Sequence, residues 1–547
     1  MTLVSRTLRG QRRRHLHRVR SLAVGAVLAL GLLAAVRPGP LQRFGAARPV
    51  AAGSVKTSVA HGVPRRLSPT SARSVAGVNA TASSPAALPT VAVRRSTLPA
   101  SFLGGVVEGF YGPRWSAATT VHMIRFMASR GLNTFVYAPK NDPYQRVDWA
   151  TPYPASQLGY LKTIVAAAKA AHVRFVYSVS PGLSITYSSA QDRAALLAKI
   201  NQIRALGVHW FMLSFDDVPP GLNSTDAAVY HGSLGAAQAS LLNFVWANES
   251  GASPRFGLIL TPTTYDGLAN NPYWAALKQD LTSHALVAWT GPDVLSPTIT
   301  AADARSVAAE LGHRLVIWDN YPVNDYTYVQ QHAPRLMLGP LTGRSPNLPA
   351  AVAGYLFNPM LQARASEVAL FTGAAYLTHP HHYHPVESWK AALKAVGGPA
   401  AGALQTLAEA SDTSFLPGSP AGSGDAGLTQ AIVQVEAGGP NVSTANLSAL
   451  SLQFTRLAQV NQTLRTSLPD PRLYAEVAPW ATELSLEGSV GTAAVFVLTN
   501  LHHGLPTGSA VAQLQRLAAQ MQQSAFTVNT TTAVNQLVQW TEHAAGA

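Results

Sequence analysis

The sequence predicts an α/β protein built as a (β/α)8 barrel, followed by an α-helical bundle. Three observations carry that prediction. Eight short apolar runs recur between residues 105 and 357, mostly separated by stretches with helical periodicity. Nearly every run ends in a polar or conformationally special group, at the rim where barrels of this kind collect functional side chains. Beyond about residue 386 the strand signal fades, and leucines and aromatics fall three and four apart.

The N-terminal region differs from the rest. Residues 1–100 hold 16 of the 40 Lys and Arg and none of the 26 Asp and Glu. The remainder carries 24 basic against 26 acidic residues, a net of −2, so the overall charge of +14 belongs to the tail. A nucleic-acid footprint belongs on a folded face, and none is expected here. Arg12, Arg13, Arg14, Arg18 and Arg20 precede an apolar stretch from Leu22 to Val36. This basic-then-apolar order is that of a signal peptide or an uncleaved signal anchor over residues 1–36. Either would export the body, giving an extracellular protein, secreted or anchored to the outer face of the cell membrane. Residues 37–100 are rich in Ala, Ser, Val, Pro and Thr without a period and read as a disordered linker. The barrel is expected over 101–395 and the helical domain over 396–547.

The eight runs are 105–108, 133–138, 174–180, 210–215, 256–261, 285–289, 314–318 and 353–357. Helical stretches between them include 117–130, 158–171, 190–206, 227–248 and 301–311. Residues 319–350 are irregular and Pro-rich. In the C-terminal region Leu450, Phe454, Leu457 and Leu464 share a face, as do Leu473, Val477, Trp480 and Leu484, and Leu514, Leu517 and Met521. These stripes read as core. Pro469 and Pro471 separate two of the helices, and residues 412–425 form the expected connection to the barrel.

The chain has no cysteine, which excludes disulfides, thiolate metal sites and a cysteine nucleophile. Charged residues make up only 12%, about half the usual share, which adaptation to acid would explain.

Asp216 and Asp217 follow the apolar run Trp210–Phe215. Two adjacent carboxylates at the end of a buried strand are costly, because each disfavours ionisation of the other and both lose hydration. Such a pair suits a site where one acid holds a proton and its neighbour does not. A helix cap or a calcium loop is the alternative, but Val218-Pro219-Pro220 offers a calcium ion only backbone carbonyls. Rim aromatics at Tyr111, Trp115, Tyr144, Tyr265, Trp318 and Tyr321 beside carboxylates and amides suit a sugar. Tyr137 and Trp289 read as barrel packing.

The motifs Glu108-Gly-Phe-Tyr-Gly-Pro, Tyr137-Ala-Pro-Lys-Asn-Asp-Pro-Tyr, Ser214-Phe-Asp-Asp-Val, Trp289-Thr-Gly-Pro and Trp318-Asp-Asn-Tyr-Pro-Val-Asn-Asp, in that order, resemble glycoside hydrolase family 84 over residues 103–395. That family contains β-N-acetylglucosaminidases, including enzymes that remove O-linked GlcNAc. The resemblance implies a retaining mechanism on a GlcNAc-containing glycan or glycoconjugate, with the substrate's own acetamide as nucleophile and no cofactor or metal. It implies that Asp216 holds the acetamide N–H and that Asp217 is the general acid and base. It assigns Lys140, Asp325, Asn358 and the Gly109 backbone to sugar hydroxyls, Tyr265 to the acetamide oxygen, Trp318 to the acetamide pocket, and Asn320 to the acetamide and Asp216. Asn141 and Gln145 stand where the family's commonest form has Asp and His. Endo-acting cleavage of hyaluronan or a cell-wall glycan, and a non-catalytic GlcNAc-binding barrel, are the competing expectations.

Other polar groups have plainer readings. His379, His381, His382 and His384 lie in a segment that fits the family's pattern before a helix, rather than a zinc site. Asp142 and Asp319 are expected to order loops, and Glu108 to be a buried partner of Lys140 or another cation.

Overall fold

The computed structural model describes residues 98–411, 416, 423–439 and 442–546. The expected signal segment, nearly all of the expected linker and most of the 412–425 connection lie outside them.

Eight parallel strands close into one barrel in the order β1 to β8. They are β1 (Leu103–Glu108), β2 (Thr134–Tyr137), β3 (Arg174–Val179), β4 (Trp210–Ser214), β5 (Gly257–Thr261), β6 (Leu286–Trp289), β7 (Leu315–Asp319) and β8 (Gly354–Phe357). Closure is the pairing of β8 with β1, with Leu103 opposite Gly354 and Val106 opposite Phe357.

Helices α1 (Ala117–Ser129), α2 (Ala155–Ala170), α3 (Ala190–Arg204), α4 (Ser224–Val229), α5 (Leu234–Glu249), α6 (Pro272–Asp280) and α7 (Ala301–Leu311) surround the strands. Many start where a side chain accepts a first-turn N–H: Ser116, Ser189, Asn223, Ser233, Asn271 and Thr300 each do so. The single helix expected over 227–248 is two, α4 and α5. His231 and Gly232 between them have φ of 52° and 76°, and the left-handed backbone there ends the first helix.

Alternation along the strands divides the core. Val107, Val136, Ala138, Val176, Met212, Ile259, Ala288, Val316 and Leu356 fill the barrel interior. Val106, Phe135, Tyr137, Phe211, Leu258, Val287, Trp289 and Phe357 belong to the larger cluster between strands and helices. Tyr137 and Trp289 are thus packing residues, as expected.

After β7 come two short helices, α8 (Asp325–Val329) and α9 (Leu348–Ala351), in otherwise irregular chain. Helix α10 (Ala363–Thr378) follows β8, and α11 (Pro385–Gly397) and α12 (Ala401–Ala410) lead into α13 (Ser423–Gly438), α14 (Thr444–Ser467), α15 (Pro471–His502), α16 (Gly508–Gln522) and α17 (Thr531–Ala544). The expected break falls between α14 and α15, with Pro469 in the connection and Pro471 as the first residue of α15. Their interface is close because Gly488 and Gly491 face α14: a Cβ on Gly488 would lie 2.2 Å from the Ala458 amide nitrogen.

Trp389, Leu404, Leu464, Trp480 and Leu484 share one core with Leu336, Met360 and Val368 from the barrel side. The expected domain junction at 395 and 396 falls in the last turn of α11, within that shared region. Helix α15 is long and apolar enough to cross a membrane, but most of its apolar window is buried against neighbouring helices.

Candidate active site

Strand parity places the site. The inward positions Val107, Ala138, Leu356 and Trp318 are each followed two residues later by Gly109, Lys140, Asn358 and Asn320. Ser214, whose hydroxyl meets those of Ser178 and Thr261, is likewise followed by Asp216. Five of the nine expected site residues therefore continue the interior face past the strand ends.

The two aspartates have different surroundings. Asp216 is buried, and its Oδ2 accepts from the Lys140 ammonium, also buried. Burial pushes the Asp216 carboxyl up, but Lys140 and Arg146 outweigh it and hold the group below its ordinary value. Its Oδ1 is buried without a hydrogen-bond partner. Asp217 is only half-buried and has left-handed backbone, φ 54°. Its Oδ1 accepts from the Tyr265 hydroxyl at 2.8 Å and its Oδ2 from the Tyr111 hydroxyl at 3.0 Å. Arg146 Nη2 donates to the Asp217 carbonyl at 2.9 Å, fixing the turn. Burial and the neighbouring aspartates push both phenols well above their ordinary value, so they remain donors.

The remaining expected residues form a connected wall. Gly109 N–H donates to Asn358 Oδ1 at 3.3 Å, and Asn358 Nδ2 donates to Asn320 Oδ1 at 3.0 Å. Trp318 Nε1 donates to the same Asn320 oxygen at 3.1 Å, and Asn320 Nδ2 to the Val294 carbonyl at 2.8 Å. A Cβ on Gly109 would lie 2.2 Å from the Trp318 ring, so only glycine lets the indole lie against this backbone. Lys140 Nζ is 5.5 Å from the Trp318 ring centroid, which joins the wall to Asp216. Asp325 Oδ2 accepts from Tyr111 N–H at 2.7 Å, and burial pushes this carboxyl up to about 6. Asn320 reaches Trp318, Asn358 and Val294 rather than Asp216, and Tyr265 reaches Asp217.

Behind the wall lie groups that hold it. Asp142 accepts from the hydroxyls of Tyr137 and Tyr153 and from Tyr144 N–H. Asp319 is paired with Arg344 at 2.6 Å and accepts from the Tyr355 hydroxyl. Glu108 is fully buried, accepts from Trp115 N–H at 2.8 Å, and is pushed by burial up to about 8. It does not reach Lys140, which is engaged with Asp216. Asn141 accepts from Gly112 N–H, and Gln145 donates to the Ser178 hydroxyl. Arg146 and Asp266 were missed as members of the site, and Tyr111 was seen only as a rim aromatic. Asp266 is pushed up to about 6 by burial and by Asp293. Its place beside Tyr265 was the available signal. Among the described residues no group of three His, Cys, Asp or Glu could hold a metal ion.

Residues 104–409 match the family described as beta-N-acetylglucosaminidase. The Protein O-GlcNAcase of Rattus norvegicus is 34% identical over 281 residues, covering 50% of this chain and 30% of that protein. The chain thus matches under a third of that relative's length. In structure it is similar to a mutant of the Thermobaculum terrenum O-GlcNAc hydrolase, with TM-score 0.72 and 29% identity, covering 82% of this chain and 97% of that one. It is also similar to CpGH84B, with TM-score 0.69 and 27% identity, covering 81% and 77%. The match over more than half of its length shows that this chain belongs to the β-N-acetylglucosaminidase family, glycoside hydrolase family 84.

Proposed function

We propose that this protein is a retaining exo-β-N-acetylglucosaminidase that removes terminal β-linked GlcNAc by substrate-assisted catalysis. The observation that carries the reading is the division within the aspartate pair. Asp216 is held ionised by Lys140 with a free inward oxygen, a ready acceptor for an acetamide N–H. Asp217 is held at the half-exposed side by two phenols, where a leaving group can reach it.

In the first step the acetamide carbonyl oxygen bonds to the anomeric carbon as the glycosidic C–O bond breaks. The leaving oxygen takes a proton from Asp217, and Asp216 stabilises the positive charge on the oxazolinium ring. In the second step Asp217 takes a proton from water, whose oxygen attacks the anomeric carbon and opens the ring. Two displacements retain configuration. Lys140, Asp325, Asn358 and the Gly109 backbone are assigned to sugar hydroxyls, and Trp318 to the acetamide methyl. Asn320 is assigned to holding Trp318 and Asn358. Tyr265 is assigned to the acetamide oxygen once substrate displaces its contact with Asp217. The relatives named for O-GlcNAc support a GlcNAc linked to a hydroxyl side chain as one substrate class. The Arg12–Val36 segment supports action outside the cytoplasm, with that segment as leader or tether.

Hydrolysis of 4-nitrophenyl N-acetyl-β-glucosaminide tests the proposal, with the β-anomer of GlcNAc as the expected first product. Inversion would overturn the mechanism. Oligosaccharide products from hyaluronan would favour endo action, and tight binding of an oxazoline mimic without turnover would favour a binding barrel.

A further inference from the structure

Helix α10 starts directly after the segment that carries Asn358, yet no side chain of the barrel caps it. Its N-cap residue, Gln362, makes no capping bond. The Gln362 amide is engaged sideways instead, accepting from Asn324 Nδ2 at 2.9 Å and donating to Tyr328 at 2.6 Å. The first-turn N–H groups of Arg364 and Ala365 donate to Glu476 Oε2 at 2.7 and 3.1 Å. Glu476 lies on α15, more than a hundred residues further on. A carboxylate at a helix N-terminus satisfies free donors and complements the helix dipole. Arg364 strengthens the joint from the other side, since its guanidinium meets Asp470, the N-cap of α15, at 3.0 Å.

One turn along the same face of α15, Trp480 Nε1 donates to the Pro334 carbonyl at 3.0 Å. Pro334 precedes Arg335, whose carbonyl accepts from Asn324 Nδ2 at 2.8 Å. Asn324 adjoins Asp325, and its Oδ1 accepts from Leu361 N–H at 3.2 Å. Leu361 is three residues past Asn358, and its carbonyl accepts from Trp115 Nε1 at 2.8 Å. Two contacts from one helix of the C-terminal region therefore connect to two of the rim segments assigned to sugar hydroxyls, those of Asn358 and Asp325.

We infer that Glu476 and Trp480 are positioning residues, through which the helical region sets the placement of Asn358 and Asp325 and hence the affinity for the sugar. The inference rests on the proposed glycosidase reading for its kinetic consequence. Neither residue touches the acids, so loss of either changes substrate binding rather than proton transfer.

The test compares wild type with Glu476→Ala, Glu476→Gln and Trp480→Phe in the full chain. With 4-nitrophenyl N-acetyl-β-glucosaminide, Glu476→Ala raises KM about five- to tenfold while kcat stays within about twofold. Glu476→Gln keeps an acceptor oxygen and restores most of the affinity. Trp480→Phe keeps the ring and loses the donor, giving a smaller rise. Amide hydrogen exchange, which needs no substrate, speeds up in segments 320–325 and 358–362 in Glu476→Ala. A variant that melts earlier with unchanged KM and unchanged exchange in those segments overturns the inference. Absence of hydrolysis by wild type instead overturns the glycosidase reading, and the exchange result then decides the positioning claim alone.

Discussion

The ammonium of Lys140 pairs with Asp216 and not with Asp217, although the two aspartates are adjacent in the chain. Parity explains the choice: Lys140 and Asp216 both continue the interior face, whereas Asp217 has turned out of it through a left-handed residue. One carboxylate is thereby neutralised by a cation, and its neighbour is dressed with phenols.

Exchange of either acid for its amide separates their work. Asp217→Asn is expected to lose about 10²- to 10⁴-fold in kcat on substrates with poor leaving groups, and much less on activated aryl glycosides, which need little protonation. Asp216→Asn is expected to fail with any leaving group, because oxazoline formation itself is damaged. A leaving-group series on both variants is the measurement, and parallel losses would refute the division of roles.

Removal of the Lys140 charge leaves a buried, unpaired Asp216. Lys140→Met is expected to destabilise the fold by roughly 3 kcal/mol, read by denaturant titration. The depressed Asp216 carboxyl stabilises the fold above its ordinary range, a gain lost as pH falls through the lowered value. Without Lys140 that value rises, so the acid limb of kcat/KM should move to higher pH. An unmoved limb would remove Asp216 from the ionised role.

Glu108 gives a prediction of opposite sign. Its carboxyl is raised to about 8, so between its unfolded value and 8 the folded state holds a proton that the unfolded state has released. Stability from this group therefore declines as pH rises through that window. Arg114 and Asp142 face it and act in opposite directions. Glu108→Gln keeps the acceptor for Trp115 N–H and removes the titration. Its melting temperature relative to wild type should climb between about pH 5 and pH 8, and a flat difference would contradict the protonated state.

Gly109→Ala would drive a methyl into the Trp318 indole. Overpacking of this kind costs about 1–3 kcal/mol. Because the displaced ring lines the proposed acetamide pocket, kcat/KM should fall by more than the loss of stability explains, with a changed tryptophan fluorescence as the structural readout.

Much of the barrel was legible because short apolar runs and the polar groups at their ends are local signals. The eight runs predicted from them lie on the eight observed strands, and Gly109, Lys140, Asp216, Asn320 and Asn358 lie just past the ends of those strands. What joins them was not legible. Lys140 meets Asp216 across 76 positions and Tyr111 meets Asp217 across 106, and no local pattern encodes which loop leans on which. Arg146 looked like an ordinary loop arginine until the fold brought it beneath the Asp217 carbonyl. The break at His231 and Gly232 was visible as a glycine, but the apolar periodicity on both sides outweighed it. Glu476 gave no signal at all, since its task is set by a helix in another part of the chain.

Ring closure by β1 and β8 has a consequence for biosynthesis. Until Phe357 has left the ribosome, the growing sheet has two bare margins, one of them β1, with amides and carbonyls that any passing strand can bind. A chain interrupted between β2 and β8 keeps both margins and should precipitate, whereas one that has passed β8 has sealed them.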